Sequence, residues 1–218
     1  MAIGFLAARR HTGRQRTIPW LLSALVIAAM LAAPQPARAA SKANATETQV
    51  YFIRGFMGVF STGFDTMAKT LAKSGVNAKV YGHLSGAAIR SAIVKQYTGS
   101  KRKRPIILVG HSFGGNAAFQ VAAGLRRDNI PVALVVTVDP TRAGPLSGNV
   151  RRYVNFFFAG NGLGSRLKAA SGVPQSRITN IDMRKRTDVA EAGDDHWTIT
   201  HNAAIQSEIL NLVKRAAR

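Results

Sequence analysis

Ser112 lies at the centre of Gly110-His111-Ser112-Phe113-Gly114, a segment with the pattern G-x-S-x-G. Residues 106–109 before it are apolar and mostly β-branched, which predicts a buried parallel strand. Residues 116–125 after it are rich in alanine and predict a helix. A serine on a tight turn between a strand and a helix is presented as a nucleophile, and the flanking glycines give that turn room. The alternative is a glycine-rich turn that only connects the two elements.

A serine hydroxyl needs a base to activate it, and the base needs an acid that orients it. The base is expected in a loop after a later strand, because the carboxyl ends of parallel strands share one crevice. His196 is the predicted base, and His201, at the start of the last predicted helix, is the alternative. His11 and His83 precede the serine, and His111 lies within the turn, where it cannot easily reach its neighbour's hydroxyl.

Asp139 is the predicted acid because it directly follows residues 131–138, a predicted strand and the most apolar run after the N-terminal segment. Its other interpretation is a turn residue before Pro140. With this choice the chain carries its serine, acid and histidine in the order Ser112, Asp139, His196, one of the orders known for such triads.

The other carboxylates fit the role of the acid less well. The loop after the next predicted strand, residues 159–161, contains none. Asp182 lies within the last predicted strand. The two aspartates at 194–195 are too close to His196 in sequence, so we expect them to shape its loop instead.

Acyl transfer also requires backbone N–H groups that bind the developing oxyanion. Phe113, directly after the serine, is predicted to supply one, and Phe56 or Met57, in a loop after the first predicted strand, the other. The alternative for that loop is an ordinary strand–helix turn. An apolar acyl pocket could be made by Phe56, Met57, Phe60, Phe113 and Leu163, with Phe60 and Leu163 predicted to contact the substrate, although core packing is the usual role of such residues.

The alternation of strands and helices predicts an α/β fold, a single domain with a mostly parallel sheet and helices on both faces. The predicted strands are 49–53, 78–81, 106–109, 131–138, 153–158 and 177–183, and the predicted helices are 64–73, 87–97, 116–125 and 202–215. Only residues 141–152 and 160–175 could cover the site, which predicts a minimal cap domain or none.

Residues 1–39 have the pattern of a secretory signal peptide. Four arginines precede the uncharged apolar run 18–33, and Ala37-Arg38-Ala39 provides a cleavage site. The segment predicts export, to the periplasm or the outside of the cell. An uncleaved N-terminal membrane anchor is the alternative, although the run is short for a membrane span. Residues 40–48 are predicted to be a flexible leader before the domain at 49–218.

The formal net charge is +20, and residues 1–39 hold five arginines and no acidic residue, which leaves +15 after cleavage. A charge of this sign favours an anionic membrane surface as partner, whereas the alternative is a solvated basic surface. The densest cluster, Lys101-Arg102-Lys103-Arg104, has no interleaved aromatic residue, so no nucleic-acid partner is expected. The chain has no cysteine, which excludes a cysteine nucleophile and a cysteine-ligated metal.

The segment from Gly110 to Gly115, the strand–helix alternation and the late Asp-His-Trp run at 195–197 resemble the α/β-hydrolase superfamily. The resemblance covers roughly residues 49–213 and is to small members that are lipase- or thioesterase-like. It implies hydrolysis of a carboxylic ester or thioester through an acyl-serine intermediate, with no metal and no cofactor. The substrate would be a small acyl ester or a lipid.

Two features depart from the family's pattern. Arg54-Gly55 stands where the loop that binds the oxyanion frequently has His-Gly. The predicted acid, Asp139, comes one strand early, a placement shared by some lipases and thioesterases of the family. Two other functions stay open, namely a non-catalytic envelope protein on the same fold that binds lipid or a partner, and an acyltransferase.

Overall fold

The structure is a computed structural model that describes residues 47, 49–161, 163–189, 191 and 193–218. The predicted signal peptide or anchor, residues 1–39, lies outside the described residues, and so does the predicted leader except for Glu47. Within the described residues, no helix is long and apolar enough to cross a membrane.

Six strands form one sheet in which every neighbouring pair is parallel. They are β1 (Val50–Ile53), β2 (Ala78–Tyr81), β3 (Ile107–His111), β4 (Leu134–Val138), β5 (Tyr153–Phe157) and β6 (Ile178–Asp182). Their spatial order is β2-β1-β3-β4-β5-β6. The order changes direction between β1 and β3, so the loops after these two strands diverge and leave a crevice. The predicted α/β class is confirmed.

Four α-helices cover the two faces of the sheet. They are α1 (Gly63–Lys73), α2 (Gly86–Gly99), α3 (Phe113–Arg127) and α4 (Ala203–Ala216). Helices α1 and α4 pack on the side of Val50 and Phe52, whereas α2 and α3 pack on the side of Tyr51 and Ile53. Successive side chains of a strand point to opposite faces, so β1 alone contributes to both halves of the core.

The two largest differences between predicted and observed element boundaries have local reasons. Helix α3 begins at Phe113 rather than Asn116, because the chain enters the helix directly after the serine. Strand β4 begins at Leu134 rather than Pro131, since proline has no N–H to donate to a ladder. Val132 forms only an isolated bridge, with Val150.

The loops that follow β4 and β5 leave the carboxyl edge of the sheet without a cap domain. Among their described residues, the only helical piece is the short 3-10 turn Gln175–Arg177. The prediction of a minimal cap or none is confirmed for this part of the chain.

Candidate active site

The turn at Ser112 joins β3 to α3 with no intervening residue other than the serine itself. Ser112 has φ 55° and ψ −124°, a conformation that costs free energy for a residue with a Cβ. A Cβ on Gly110 would lie 2.2 Å from the carbonyl oxygen of Gly114, and a Cβ on Gly114 would lie 2.0 Å from that of Ile53. Glycine is therefore a steric requirement at both positions, and the turn presents the serine side chain at its tip.

Ser112, His196 and Asp139 come together in one hydrogen-bonded chain. The Oγ of Ser112 lies 3.0 Å from Nε2 of His196, and Nδ1 of His196 lies 2.7 Å from Oδ2 of Asp139. All three side chains are buried, with at most 4% of the residue surface exposed. The alternative base His201 instead contacts Thr62 at the surface, with 2.7 Å between its Nε2 and the threonine Oγ1.

Asp139 is held at the end of β4 by groups from the loop after β5. Its Oδ1 accepts a hydrogen bond from the Phe158 N–H at 3.0 Å, and its Oδ2 accepts one from the Asn161 amide at 2.9 Å. A Cβ on Gly164 would lie 1.8 Å from Oδ1, so the loop packs directly on the carboxylate. With His196 as a third donor, the buried carboxylate is fully hydrogen-bonded.

The contribution of Asn161 was missed in the sequence. It lies in the loop after β5, the position at which the sequence offers no carboxylate. Its Oδ1 accepts hydrogen bonds from the N–H groups of Leu163 and Gly164, at 2.9 and 2.8 Å, which leaves its NH₂ group to donate to Asp139. The absence of an acid at this position was itself a signal, because an amide there can support an acid on the neighbouring strand.

Asp194 and Asp195 shape the loop that carries the base, as predicted. Oδ1 of Asp195 accepts hydrogen bonds from the N–H groups of Trp197 and Thr198, at 2.8 and 3.0 Å. Oδ2 of Asp194 accepts one from the amide of Asn202 at 2.6 Å. These bonds fold the chain tightly around His196 and tie its loop to the start of α4.

The loop after β1 lies against the serine, where a donor to an oxyanion is needed. A Cβ on Gly55 would be 3.1 Å from the Cβ of Ser112, a tight contact, so glycine favours this close approach of the loop. In the described part of the chain, the backbone N–H groups of Phe56, Met57 and Phe113 have no hydrogen-bond partner. They are free to bind an oxyanion, and their role stays a prediction.

Arg54 stands where members of the α/β-hydrolase superfamily often have a histidine, and it anchors the loop after β1 through an ion pair. Its Nη2 lies 2.6 and 2.5 Å from the two carboxylate oxygens of Asp65, in the first turn of α1. The pair is about one-third exposed, so we expect it to contribute positioning more than stability.

A family model described as the alpha/beta hydrolase family matches residues 54–210, which is more than half of the chain and includes all three members of the triad. The chain belongs to this family. No curated protein matches the sequence of the hydrolase.

Solved structures that match this chain share little sequence identity with it. A hydrolase of the alpha/beta superfamily from Xanthomonas campestris is 17% identical, with 78% of this chain and 99% of that chain covered and a TM-score of 0.46. A YdeN-like hydrolase from Pectobacterium atrosepticum is 15% identical, with 81% and 96% covered and a TM-score of 0.46. The NocB thioesterase domain is 14% identical, with 80% and 96% covered and a TM-score of 0.46.

His111 of the hydrolase is a buried residue with a defined hydrogen-bonding role. Its Nε2 lies 2.8 Å from the backbone oxygen of His196, and since a carbonyl only accepts, Nε2 carries the hydrogen. Burial lowers the pKa of His111 to about 4, so the ring is neutral near pH 7. Its Nδ1 therefore accepts from the Ser61 hydroxyl at 2.8 Å, and the Ser61 Oγ accepts from the Gly55 N–H at 3.0 Å.

This chain of hydrogen bonds connects three parts of the site. It runs from the loop after β1, through the turn at the nucleophile, to the backbone of the base. His111 and Ser61 are therefore positioning residues. The sequence did not reveal this role, because it depends on Ser61, which lies 50 residues earlier in the chain.

The predicted acyl-pocket residues lie on two sides of the hydrolase's triad. A cavity of about 370 Å³ adjoins His196, and Leu163 lines it. Its other lining residues are Phe158, Asn161, Met183, Arg184, Thr187, Glu191, Asp194, Asp195 and Trp197. Phe60 reaches this side through Trp197, with 4.8 Å between the ring centroids. Phe56 and Phe113 contact one another on the other side, at 6.2 Å.

Metal-ligating side chains do not cluster in the described part of the hydrolase. No group of three or more His, Cys, Asp or Glu residues is arranged there to hold an ion.

Proposed function

We propose that this hydrolase cleaves a carboxylic ester or thioester through an acyl-serine intermediate. The observation that carries the proposal is the hydrogen-bonded chain from Ser112 through His196 to Asp139, with 3.0 and 2.7 Å between the bonded atoms. The strained backbone of Ser112 supports it, since strain of this kind concentrates at reactive residues.

In the acylation half-reaction, Nε2 of His196 takes the hydroxyl proton of Ser112 while Oγ attacks the carbonyl carbon of the substrate. The carbonyl oxygen becomes an oxyanion, which accepts hydrogen bonds from the N–H of Phe113 and of Phe56 or Met57. The imidazolium then protonates the leaving alcohol or thiol as its bond to the carbonyl carbon breaks. The acyl group remains as an ester on Oγ.

In the deacylation half-reaction, His196 takes a proton from water while the water oxygen attacks the acyl carbon. The second tetrahedral intermediate collapses, the bond to Oγ of Ser112 breaks, and the imidazolium returns its proton to that oxygen. Asp139 stays ionised throughout. It stabilises the imidazolium in both steps and fixes the ring so that Nε2 faces the serine.

The cavity beside His196 fits the acyl or leaving group of a modest-sized substrate. Its volume, about 370 Å³, lies near the lower end of the range for small-molecule sites. Leu163, Met183 and Trp197 supply apolar contacts, whereas Arg184 and Glu191 place charge at its wall.

The proposal is tested with p-nitrophenyl esters and acyl thioesters of increasing chain length, and with a fluorophosphonate that phosphonylates reactive serines. Ser112→Ala should lower kcat/KM roughly a thousandfold or more and abolish labelling. Ser165→Ala is the matched control, since the hydrogen bonds of Ser165 use its backbone only. Full activity of S112A, or labelling at another serine of the folded protein, would overturn the proposal.

Export is a second part of the proposal, supported by the basic, apolar and A-x-A pattern of residues 1–39. The protein made by an exporting host should be recovered outside the cytoplasm with Ala40 as its first residue, as measured by intact mass. A membrane-bound product that retains residues 1–39 would favour the anchor, and a cytoplasmic product with an intact N-terminus would contradict export.

A further inference from the structure

The large apolar side chains that remain exposed in the described residues all lie at the carboxyl edge of the sheet. They are Phe56, Met57, Val59, Phe60, Leu84, Phe113, Leu163 and Trp197, and we call them the apolar rim. Each lies in a segment that leaves the carboxyl end of a strand, namely β1, β2, β3, β5 or β6. Single exposed apolar residues are ordinary, but their confinement to one edge of a sheet is not.

Ring contacts group the aromatic members of the rim on two sides of the nucleophile. Phe113, next to Ser112, lies 6.2 Å from Phe56, and both rings lie 5.9 Å from the ring of His83. On the other side, Trp197 contacts Phe60 at 4.8 Å and the catalytic ring of His196 at 4.9 Å. The rim therefore flanks the triad on two sides.

The position of the rim limits what can cover it. A folded protein seated on it would also close the entrance to Ser112 and keep substrate out. A lipid aggregate can bury the same side chains and supply an ester at the same time. The most exposed members are Leu84 at 87% and Met57 at 71%, so they have the most apolar surface to bury against lipid.

Charge beside the rim favours an anionic lipid. Arg142, Arg166 and Arg184 are exposed in the loops after β4, β5 and β6, and none has an ion-pair partner among the described residues. Glu191, Asp194 and Asp195 line the cavity beside Arg184, whereas residues 140–152 and 158–177, which carry Arg142 and Arg166, contain no acidic residue. Unpaired guanidinium groups bind phosphate oxygens well.

We infer that the apolar rim docks this hydrolase on an anionic lipid aggregate, from which it draws its ester substrate. The choice of substrate rests on the proposed function, whereas the docking itself needs no catalysis. The basic cluster 101–104 cannot contact a lipid surface on which the rim is docked. It precedes β3, so a strand of about 16 Å separates it from Ser112.

Trp197 allows the inference to be tested directly, because the chain has two tryptophans and Trp20→Phe leaves only this one. Vesicles of phosphatidylglycerol should shift its emission to the blue, and brominated acyl chains should quench it. Vesicles of phosphatidylcholine should do so more weakly. Since the signal comes from the rim, binding through residues 1–39 does not produce it.

Val59→Gln with Leu84→Gln removes two exposed rim residues that take no part in the proposed chemistry. The double variant should partition about tenfold more weakly into the anionic vesicles, because two apolar side chains no longer leave water. Its kcat/KM on a soluble ester should stay within about twofold of the parent's. Leu84→Gln alone provides a milder variant, with a smaller loss of binding.

Charge is tested by two matched pairs. Arg142→Gln with Arg166→Gln should weaken quenching by brominated phosphatidylglycerol more than Arg126→Gln with Arg127→Gln, which removes the same charge from the end of α3. Equal losses from the two pairs would show that only net charge matters and would overturn the anionic docking face.

Other results would overturn the docking more directly. If the protein binds vesicles but the fluorescence of Trp197 is still quenched by acrylamide and not by brominated lipid, the rim is not the docking face. A concentration-dependent dimer that dissociates in the rim variants would also overturn it, because the rim would then bind a second copy of this chain. Docking is also measured on Ser112→Ala, where it should be unchanged. If Trp197 inserts into vesicles but the parent protein shows no esterase activity, the proposed function is rejected and the docking stands.

Discussion

The two edges of the sheet differ in how they use apolar surface and charge. The carboxyl edge buries the polar triad and exposes the apolar rim around it. The amino edge exposes basic residues at 101–103, 126–127 and 151–152, as the carboxyl edge does at 142, 166 and 184, but it exposes no large apolar side chain among the described residues. The difference indicates that apolar surface is exposed only where the proposed substrate would arrive, whereas charge alone solvates the other edge.

Backbone strain divides between the edges in the same way. Of the four described residues other than glycine with positive φ, Met57, Ser112 and Asp139 lie at the carboxyl edge, with φ of 56°, 55° and 47°. The fourth, Asn129, follows α3 at the amino edge, and asparagine tolerates this conformation at the end of a helix. Backbone strain is thus retained at residues with a proposed chemical role. At the amino edge, the positive φ falls on an asparagine, which adopts it at a lower cost.

The largest effect of a carboxyl-edge substitution is expected for Asp139→Asn. The amide keeps the shape of the side chain but removes the charge that stabilises the imidazolium of His196, so kcat on a soluble ester should fall by about a thousandfold or more. Asp195→Asn is the matched control, because its amide oxygen still accepts from the Trp197 and Thr198 N–H groups. Its kcat should stay within about threefold, and equal losses from the two variants would contradict the assignment of the acid.

The next effect concerns stability and compares one glycine from each edge. Gly110→Ala should lower the free energy of unfolding by roughly 3 kcal/mol or more, since its Cβ would lie 2.2 Å from a carbonyl oxygen. Gly99→Ala, at the end of α2, has no neighbouring atom within 4 Å and should change it by less than about 1 kcal/mol. Urea unfolding measures both, and similar losses would show that the amino edge is packed as tightly as the turn.

Much of this architecture could be predicted from local patterns. Short apolar runs between helical segments predicted all six strands. The G-x-S-x-G segment predicted the serine, because the strand, turn and helix around it are encoded within a few residues. Asp139 was predicted from its place at the end of a strand and largely because the other carboxylates fit the role less well. These features depend on short-range sequence, which periodicity and glycine placement record.

Other features of the site depend on contacts that sequence patterns do not record. Ser61 holds Gly55 and His111 at once, and Asn161 supports an acid on the neighbouring strand. One side of the apolar rim depends on the contact between Phe60 and Trp197, which are far apart in the chain. Such pairings follow from the order of strands in the sheet, and a single sequence does not reveal that order.

His111→Phe should have an intermediate effect on the carboxyl edge. Phenylalanine fills the same space but bonds neither Ser61 nor the backbone of His196, so kcat should fall about tenfold to a hundredfold with little change in KM. His111→Gln, which retains a donor and an acceptor, should recover part of the loss. A purely structural role would lower stability without this separation of kcat from KM.

The pH dependence of unfolding gives a second test of His111. Its pKa is about 4 in the folded state and 6.5 when unfolded, so between these values the unfolded chain binds a proton that the native state does not. Stability from this group is complete above pH 6.5 and is lost as pH falls toward 4, by about 3 kcal/mol in total. In His111→Phe the decline over this range should be smaller by that amount, and parallel curves for the two proteins would contradict the assignment.

The smallest effects are expected at the amino edge, where two arginines differ in their contacts. Arg151 is exposed and unpaired among the described residues, so Arg151→Gln should change the free energy of unfolding by less than about 0.5 kcal/mol. Arg177 donates from Nη1 to the backbone oxygens of Gly148 and Val150, so Arg177→Gln should cost about 1 to 2 kcal/mol. Neither variant should alter kcat on a soluble ester, because both side chains lie a full strand away from Ser112. A loss of activity in Arg151→Gln would mean that the exposed charge of the amino edge acts on the site, which would contradict the separate roles of the two edges.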